Sequence, residues 1–137
     1  PLPLYGDGQN VRDWIHVDDH CDAVDHVIDH GVPGEAYNVS GGNERSNVDI
    51  THTILAALDK PASLVRYVTD RPGHDRRYAI DGAKLAGIGW VPRLDFTSGM
   101  DQTVAWYADR QDWWRPIKSG EFKEFYRRQY RLGLDAE

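Results

Sequence analysis

The spacing of apolar and polar residues changes period several times along this chain, and each change predicts an element. Residues 2–5 are mostly apolar and run into the turn Gly6-Asp7-Gly8. From Val11 to Val17 the residues Val11, Asp13, Ile15 and Val17 alternate with Arg12, Trp14 and His16, the period-two grammar of a strand. Asp18 has N-cap chemistry for a helix reaching about His30, with Cys21, Val24, Val27 and Ile28 on its apolar face and Gly31 as its stop. After Pro33-Gly34, the run Ala36-Tyr37-Asn38-Val39 reads as a buried strand closed by Gly41-Gly42. Ser46 opens a capping box with Asp49 ahead of a helix carrying Ile50, Ile54, Leu55 and Leu58, which Lys60-Pro61 ends.

The second half continues the alternation. Residues 64–68 read as a strand and 78–80 as extended chain, and Asp81 caps a short helix through Ala86. Trp90-Val91-Pro92 breaks the chain before Thr97 caps a long helix with Met100, Val104 and Tyr107 on one face. Trp113-Trp114-Arg115-Pro116 ends that helix, Ser119 opens a last one with Phe122, Phe125 and Tyr126, and the charged tail after Arg127 is expected to fray. Strands alternating with helices give an α/β class, yet strong strands are few for a doubly wound sheet. The helix 18–30 followed by 36–39 reads as one unit of a larger sheet whose other strands lie elsewhere. No internal repeat or low-complexity segment is visible.

Composition narrows the chemistry. At 137 residues, 40% hydrophobic and with five tryptophans, the chain can bury a core. A net charge of −6 argues against general nucleic-acid binding, which rests on a dominant basic surface. Cys21 is the sole cysteine, so no internal disulfide or cysteine-based zinc site forms, and a reducing cytoplasm is expected. No signal peptide or membrane-length apolar run occurs. The chain starts Pro1-Leu2-Pro3 and its only methionine is Met100, from which a piece of a longer protein is expected.

Familiar catalytic signatures are missing. Gly6-Asp7-Gly8 and Gly87-Ile88-Gly89 lack the third glycine of a dinucleotide loop, no tyrosine has a lysine four residues later, and neither a Gly-x-Ser-x-Gly elbow nor a Walker loop occurs. Asp22, Asp25, His26, Asp29 and His30 include metal-ligand spacing, His26 and His30 being one turn apart, but they read more simply as the solvated face of the amphipathic helix. His16 and His20 read as structural. Trp90, Trp106, Trp113 and Trp114 read as core and interface filler. The run 126–130, with two tyrosines and two arginines, is weak evidence for RNA contact on an acidic chain. No catalytic residue is assigned in this chain.

One segment concentrates chemistry. Asp70-Arg71-Pro72-Gly73-His74-Asp75-Arg76-Arg77-Tyr78 holds three arginines and a histidine around a turn-forming Pro-Gly, where Gly73 permits the positive φ of a type II turn. Such a turn brings Arg71 and His74 toward one point, and an arginine fork suits phosphate or carboxylate oxygens. The competing reading is a solvated basic loop paired with Asp70, Asp75 and Asp81.

This segment, together with 2–8, Val11-Arg12-Asp13-Trp14, Val17-Asp18-Asp19-His20, Tyr37-Asn38-Val39 and the 113–120 run, resembles the C-terminal part of the thymidine-diphosphoglucose (dTDP-glucose) 4,6-dehydratase family, extended short-chain dehydrogenase/reductases. The similarity covers nearly the whole chain. Arg-Asp-Trp also suits sibling sugar-nucleotide epimerases and dehydratases, whereas 70–78 and 113–120 are more particular.

The resemblance implies a fold that is the substrate-binding C-terminal part of such an enzyme. Residues 1–137 then form one nucleotide-sugar-binding region, with 17–42 contributing to the Rossmann layer and the N-terminal cofactor-binding half missing. It implies hydride removal from the sugar C4 to NAD, loss of water across C5 and C6, and hydride return to C6, with NAD and the catalytic residues in the missing half and no cofactor in this fragment. It also implies that Pro1, Leu2, Pro3 and Tyr5 line the thymine pocket, that Arg12 and Arg71 face the diphosphate, and that Asn38, Asp70 and His74 complete the dTDP-sugar site. One of Arg76 and Arg77 is expected to be a structural ion-pair partner. A homodimer is implied for the full-length protein, and the strand 36–39, robbed of neighbours, invites self-association of the fragment. The alternatives are another sugar-nucleotide epimerase or dehydratase, and a stand-alone nucleotide-sugar-binding module without catalysis.

Overall fold

The computed structural model describes residues 1–118; the expected last helix from Ser119, the tail and the 126–130 run lie outside the described residues. Strand β1 (Leu2–Tyr5) pairs in parallel with β4 (Val65–Val68), Leu4 opposite Tyr67, and β2 (Val11–Asp13) pairs antiparallel with β3 (Glu44–Ser46), Arg12 opposite Arg45. Among the described residues these two-stranded sheets hold all the strands, and helices and irregular segments make up the rest. Helix α1 spans Val17–His30 and α2 spans Asn47–Ala57; a 3₁₀ turn at Ala62–Leu64 leads into β4. Then follow α3 (Ala83–Gly87), α4 (Phe96–Asp109) and α5 (Gln111–Lys118). No helix among the described residues is long and apolar enough to cross a membrane.

Ser46 caps α2 as its spacing predicts: its hydroxyl oxygen accepts from the Asp49 N–H at 3.2 Å, and its O–H donates to the Asp49 carboxylate at 2.6 Å. Two backbone bonds, Asn47 N–H to Asn10 C=O and Val48 N–H to Gly8 C=O, tie the start of α2 to the chain that follows β1. The core is small. Ala23, Leu85 and Trp90 form its buried cluster, with Ile15, Val27, Tyr37, Val39 and Ile88 packed against it, and Leu4, Ile50 and Leu55 are buried beside the β1–α2 junction.

Helix α1 packs through a face rotated from the one its hydrophobic pattern predicts: Asp19, Ala23 and Val27 turn inward with Asp22 and His26 at the margin. Asp19 is 2% exposed, its carboxylate accepting from the N–H groups of Arg93 and Leu94 at 3.2 and 3.0 Å. Asp22 accepts from the Trp90 indole at 2.9 Å and from Arg93 at 2.7 Å, and His26 Nε2 lies 2.9 Å from the Ile88 carbonyl. Asp25, Asp29 and His30 are exposed as expected, but Asp22 and His26 are partly packed because their polar groups satisfy the irregular segment 88–94. Meanwhile Val17, Val24 and Ile28 are exposed, Ile28 by 74%, and so is Cys21.

Other boundaries also shift. The strand from Val11 stops at Asp13 and α1 begins one residue before Asp18, with His16 as its cap, its Nδ1 accepting from the Asp18 N–H at 3.2 Å. Residues 36–39 are not a strand: no neighbouring strand lies beside them among the described residues, and only Tyr37 and Val39 turn inward. Asp95, not Thr97, caps α4, accepting from the Ser98 N–H at 2.9 Å. Asp81 accepts from the Ala83 N–H at 2.8 Å, one position ahead of the cap of α3. The break after α4 falls at Arg110, whose carbonyl receives the N–H groups of Trp113 and Trp114 and so starts α5 through the segment expected to end the helix. Trp90 is core as expected; Trp106 and Trp113 are exposed and stack edge-to-face on each other, 5.2 Å apart.

Candidate functional site

Strand β4 delivers the chain into the turn 70–74, where Gly73 has φ +68°, the left-handed value that the Pro-Gly signal requires. One carboxylate oxygen of Asp70 accepts both the Arg71 N–H at 2.9 Å and the His74 Nδ1–H at 2.6 Å, which closes the turn. The His74 side chain is only 5% exposed and meets the Tyr5 ring edge-to-face, centroids 6.0 Å apart. The bond to His74 holds the Asp70 carboxyl below its ordinary range. Pairing of β1 with β4 is what sets Tyr5 beside this turn.

The three arginines then separate by partner. Arg76 binds both oxygens of Asp7 at 2.8 and 3.1 Å, and Arg77 forks onto Glu44 with two bonds of 2.7 Å. These bonds hold the Asp7 and Glu44 carboxyls below their ordinary range. Both arginines, rather than one, are structural ion-pair partners. None of the three pairs with Asp70, Asp75 or Asp81, as the solvated-loop reading expects. The Arg71 guanidinium has no ion pair or hydrogen bond among the described residues.

Arg12, on β2, also lacks a carboxylate partner. It donates to the carbonyls of Val11 at 2.6 Å and Asp75 at 3.1 Å, and its guanidinium carbon lies 4.5 Å from the centroid of the Tyr78 ring. Backbone bonds from Val11 N–H to Arg76 C=O and from Tyr78 N–H to Val11 C=O, with a parallel bridge between Val11 and Arg77, place this strand against 75–78. A hydrogen bond to Asp75 pushes the Tyr78 phenol above its ordinary range, and the charges of Arg12 and Arg71 both act against that shift. Arg12 therefore stands over the ring and the charge of Arg71 reaches the same phenol, two cations without acidic partners whose combined charge suits a multiply charged anion.

The structure thus brings Tyr5, Arg12, Asp70, Arg71 and His74 together. Pro1, Leu2 and Pro3 lie on or just before β1, Pro1 and Leu2 being exposed. Asn38 sits elsewhere: its amide donates to the Asp81 carbonyl at 3.1 Å, and no bond among the described residues links it to the turn. Two organising residues have no role assigned by the sequence. Asp13 accepts from the Ser40 hydroxyl and the N–H groups of Gly41 and Asn43 at 2.6, 3.0 and 2.8 Å, holding the loop between 40 and 43. Asn10, 2% exposed, donates to the same Asp75 carbonyl that Arg12 reaches.

Neither Gly-x-Gly stretch is shaped as a dinucleotide cradle. Gly6-Asp7-Gly8 joins two strands, and a Cβ on Gly6 would stand 2.9 Å from the Asp70 carboxylate, so the turn is already filled by an acidic side chain. Gly87-Ile88-Gly89 closes α3 at its carbonyl end, the wrong polarity for a pyrophosphate. NAD therefore does not fit these residues. A groove of about 860 Å³ opens between α2, α4 and the 14–18 segment, lined by Trp14, Ile54, Met100 and Trp106 among others, and none of the expected binding residues lines it.

Comparison with known proteins agrees with the resemblance. The dTDP-glucose 4,6-dehydratase of Escherichia coli is 45% identical over 133 residues, 88% of this chain and 37% of that protein. The crystal structure of the dTDP-glucose 4,6-dehydratase of Bacillus anthracis in complex with NAD matches 85% of this chain and 37% of its own, with 49% identity and a TM-score of 0.80. DesIV, the dTDP-glucose 4,6-dehydratase of Streptomyces venezuelae, matches with 46% identity over the same shares and a TM-score of 0.82. The chain spans a little over a third of the length of these relatives, and its mixed α/β fold is a part of theirs. The GDP-mannose 4,6 dehydratase family model matches residues 1–103, three-quarters of the chain, and on that match the chain belongs to this family.

Proposed function

We propose that this chain is the nucleotide-sugar-binding portion of a dTDP-glucose 4,6-dehydratase, which converts dTDP-glucose to dTDP-4-keto-6-deoxyglucose with NAD bound elsewhere in the complete protein. The observation that carries this reading is the sorting of arginines: Arg76 and Arg77 are engaged by carboxylates, while Arg71 and Arg12 have none, and Arg12 stands over the Tyr78 ring. Arg71 and Arg12 grip the diphosphate. Asp70 orients His74 through Nδ1 and leaves Nε2 as the ring nitrogen for a ligand oxygen. Residues Pro1 to Tyr5 flank the base, with Tyr5 edge-to-face against His74, whereas Asn38, bonded to the Asp81 carbonyl, stands apart from this cluster.

The residues here bind and orient; hydride and proton transfer belong to the cofactor-binding half, the partner of this chain in the complete protein. That protein is a homodimer in this reading and works in the cytoplasm, where the exposed Cys21 thiol stays reduced. Incubating the 137-residue chain with dTDP-glucose and NAD is expected to yield no 4-keto-6-deoxy product, whereas the complete protein yields it. Turnover by the chain alone, abolished by substituting its own residues, overturns the assignment of chemistry to the other half.

A further inference from the structure

Arg12 poses a physical problem. A guanidinium without a carboxylate partner, on a long side chain, is ordinarily free to rotate, and a rotating cation is a poor reader of a diphosphate because ordering it opposes binding. Here three contacts take up its freedom. Two of its N–H groups are committed to the carbonyls of Val11 and Asp75, and its carbon stands 4.5 Å over the Tyr78 ring. None of these contacts neutralises the charge.

Each element of this arrangement is itself held. The Asp75 carbonyl also receives the amide of the buried Asn10, at 3.2 Å, so it does not drift with the turn. The Tyr78 hydroxyl donates to the Asp75 carboxylate, which fixes the ring's free edge. The backbone bond from Tyr78 N–H to Val11 C=O, 3.0 Å long, fixes its base to the strand that carries Arg12. Tyr78 is thereby secured at both ends with its face toward the guanidinium.

We infer that Tyr78 is a positioning residue: its ring, fixed to the Arg12 strand by the backbone bond to Val11, holds the Arg12 guanidinium in a single pose with its remaining donors free for an anion. The inference rests on the anion-site reading above for the purpose of the pose, but the pose itself is measurable without a ligand. Nothing in the spacing of Tyr78 along the sequence distinguishes a positioning aromatic from a surface tyrosine.

The test uses the complete protein that carries this chain, labelled at arginine nitrogen, as wild type, Tyr78→Leu, Tyr78→Phe, Arg12→Ala, Arg71→Ala and the Arg12→Ala/Tyr78→Leu double variant. Without ligand, the Arg12 side-chain resonances should carry a ring-current shift in wild type and Tyr78→Phe and lose it in Tyr78→Leu. With thymidine diphosphate as the titrant, Tyr78→Leu should weaken binding about three- to fivefold, the scale of an exposed cation–π contact, and Tyr78→Phe should restore it to within about twofold. In the Arg12→Ala background Tyr78→Leu should cost nothing further, since its effect runs through Arg12. An Arg12 spectrum indifferent to Tyr78→Leu, or losses that simply add, overturns the positioning role while leaving the anion site standing. If instead Arg12→Ala and Arg71→Ala leave thymidine diphosphate binding unchanged while the ring-current shift behaves as expected, the anion-site reading fails and the positioning stands.

Discussion

Asp70 and His74 are joined by a 2.6 Å bond across the tightest part of the turn, and the same carboxylate oxygen also accepts the Arg71 N–H. The conformation that presents Arg71 therefore depends on an ionised Asp70. Its carboxyl is held below the ordinary 3.8, chiefly by the His74 bond. For a carboxyl with a lowered folded-state value, the stabilisation is fully present above the unfolded value and is lost as pH falls through the folded one. Chemical denaturation of wild type and Asp70→Asn across acid pH should show the variant less stable near neutral pH, with the gap closing only as pH falls below the ordinary carboxyl value of 3.8. A gap that persists undiminished in acid would show that Asp70 acts through shape rather than charge.

Asp13 makes a different kind of prediction, one about scaffold. Its carboxylate receives three donors from the loop after residue 39, two of them backbone N–H groups, and truncation strands all three. Asp13→Ala should cost about 2 to 4 kcal/mol in urea denaturation, the range for removing a charged acceptor from partly buried donors. Asp13→Asn keeps one acceptor and should fall between. Equal stability of all three proteins would mean that solvent replaces the carboxylate without loss.

The outward apolar stripe of α1 leads to a prediction about assembly. Val17, Val24 and Ile28 are exposed while Asp19 and Ala23 turn inward, which leaves an apolar surface uncovered. The 137-residue chain should self-associate in light scattering across a concentration series, and a Val24→Lys/Ile28→Glu variant should suppress this while changing stability by no more than about 0.5 kcal/mol, as for ordinary surface sites. A strictly monomeric wild-type chain at high concentration would remove the basis for this expectation.

Helix α1 also shows where sequence reading succeeds and where it stops. Its C-terminal limit was legible because Gly31 is a local signal, and so were the Ser46 cap and the Pro72-Gly73 turn, each decided within a few residues. Which face of α1 packs is not local: it depends on whether residues 88–94 offer N–H groups and an indole that only Asp19 and Asp22 can satisfy. The same holds for 36–39, whose strand-like composition has no ladder to join, and for the caps at His16 and Asp95, each two residues before the residue whose type suggested it. At the site, the basic turn was visible in the sequence, but the pairing of Arg76 with Asp7 and of Arg77 with Glu44 spans 69 and 33 residues and needed the fold.

That long-range pairing makes Arg71 the sharpest test of the binding site. Arg71→Ala in the complete protein should weaken thymidine diphosphate binding by about 1.5 to 3 kcal/mol, the usual scale of a charge-assisted contact. Arg71→Lys should also be impaired, because an ammonium keeps the charge but loses the planar two-point fork. Calorimetric titration of thymidine diphosphate and of thymidine against wild type and both variants separates two roles. If Arg71 grips the diphosphate, affinity for the diphosphate falls while the weak binding of thymidine barely changes. An equal loss for both ligands would mark a structural arginine whose removal disturbs the whole pocket, which conflicts with its exposed side chain and its lack of any partner among the described residues. Arg76→Ala and Arg77→Ala serve as the contrast: their forks are already filled by Asp7 and Glu44, so they should leave the ratio of the two affinities close to wild type.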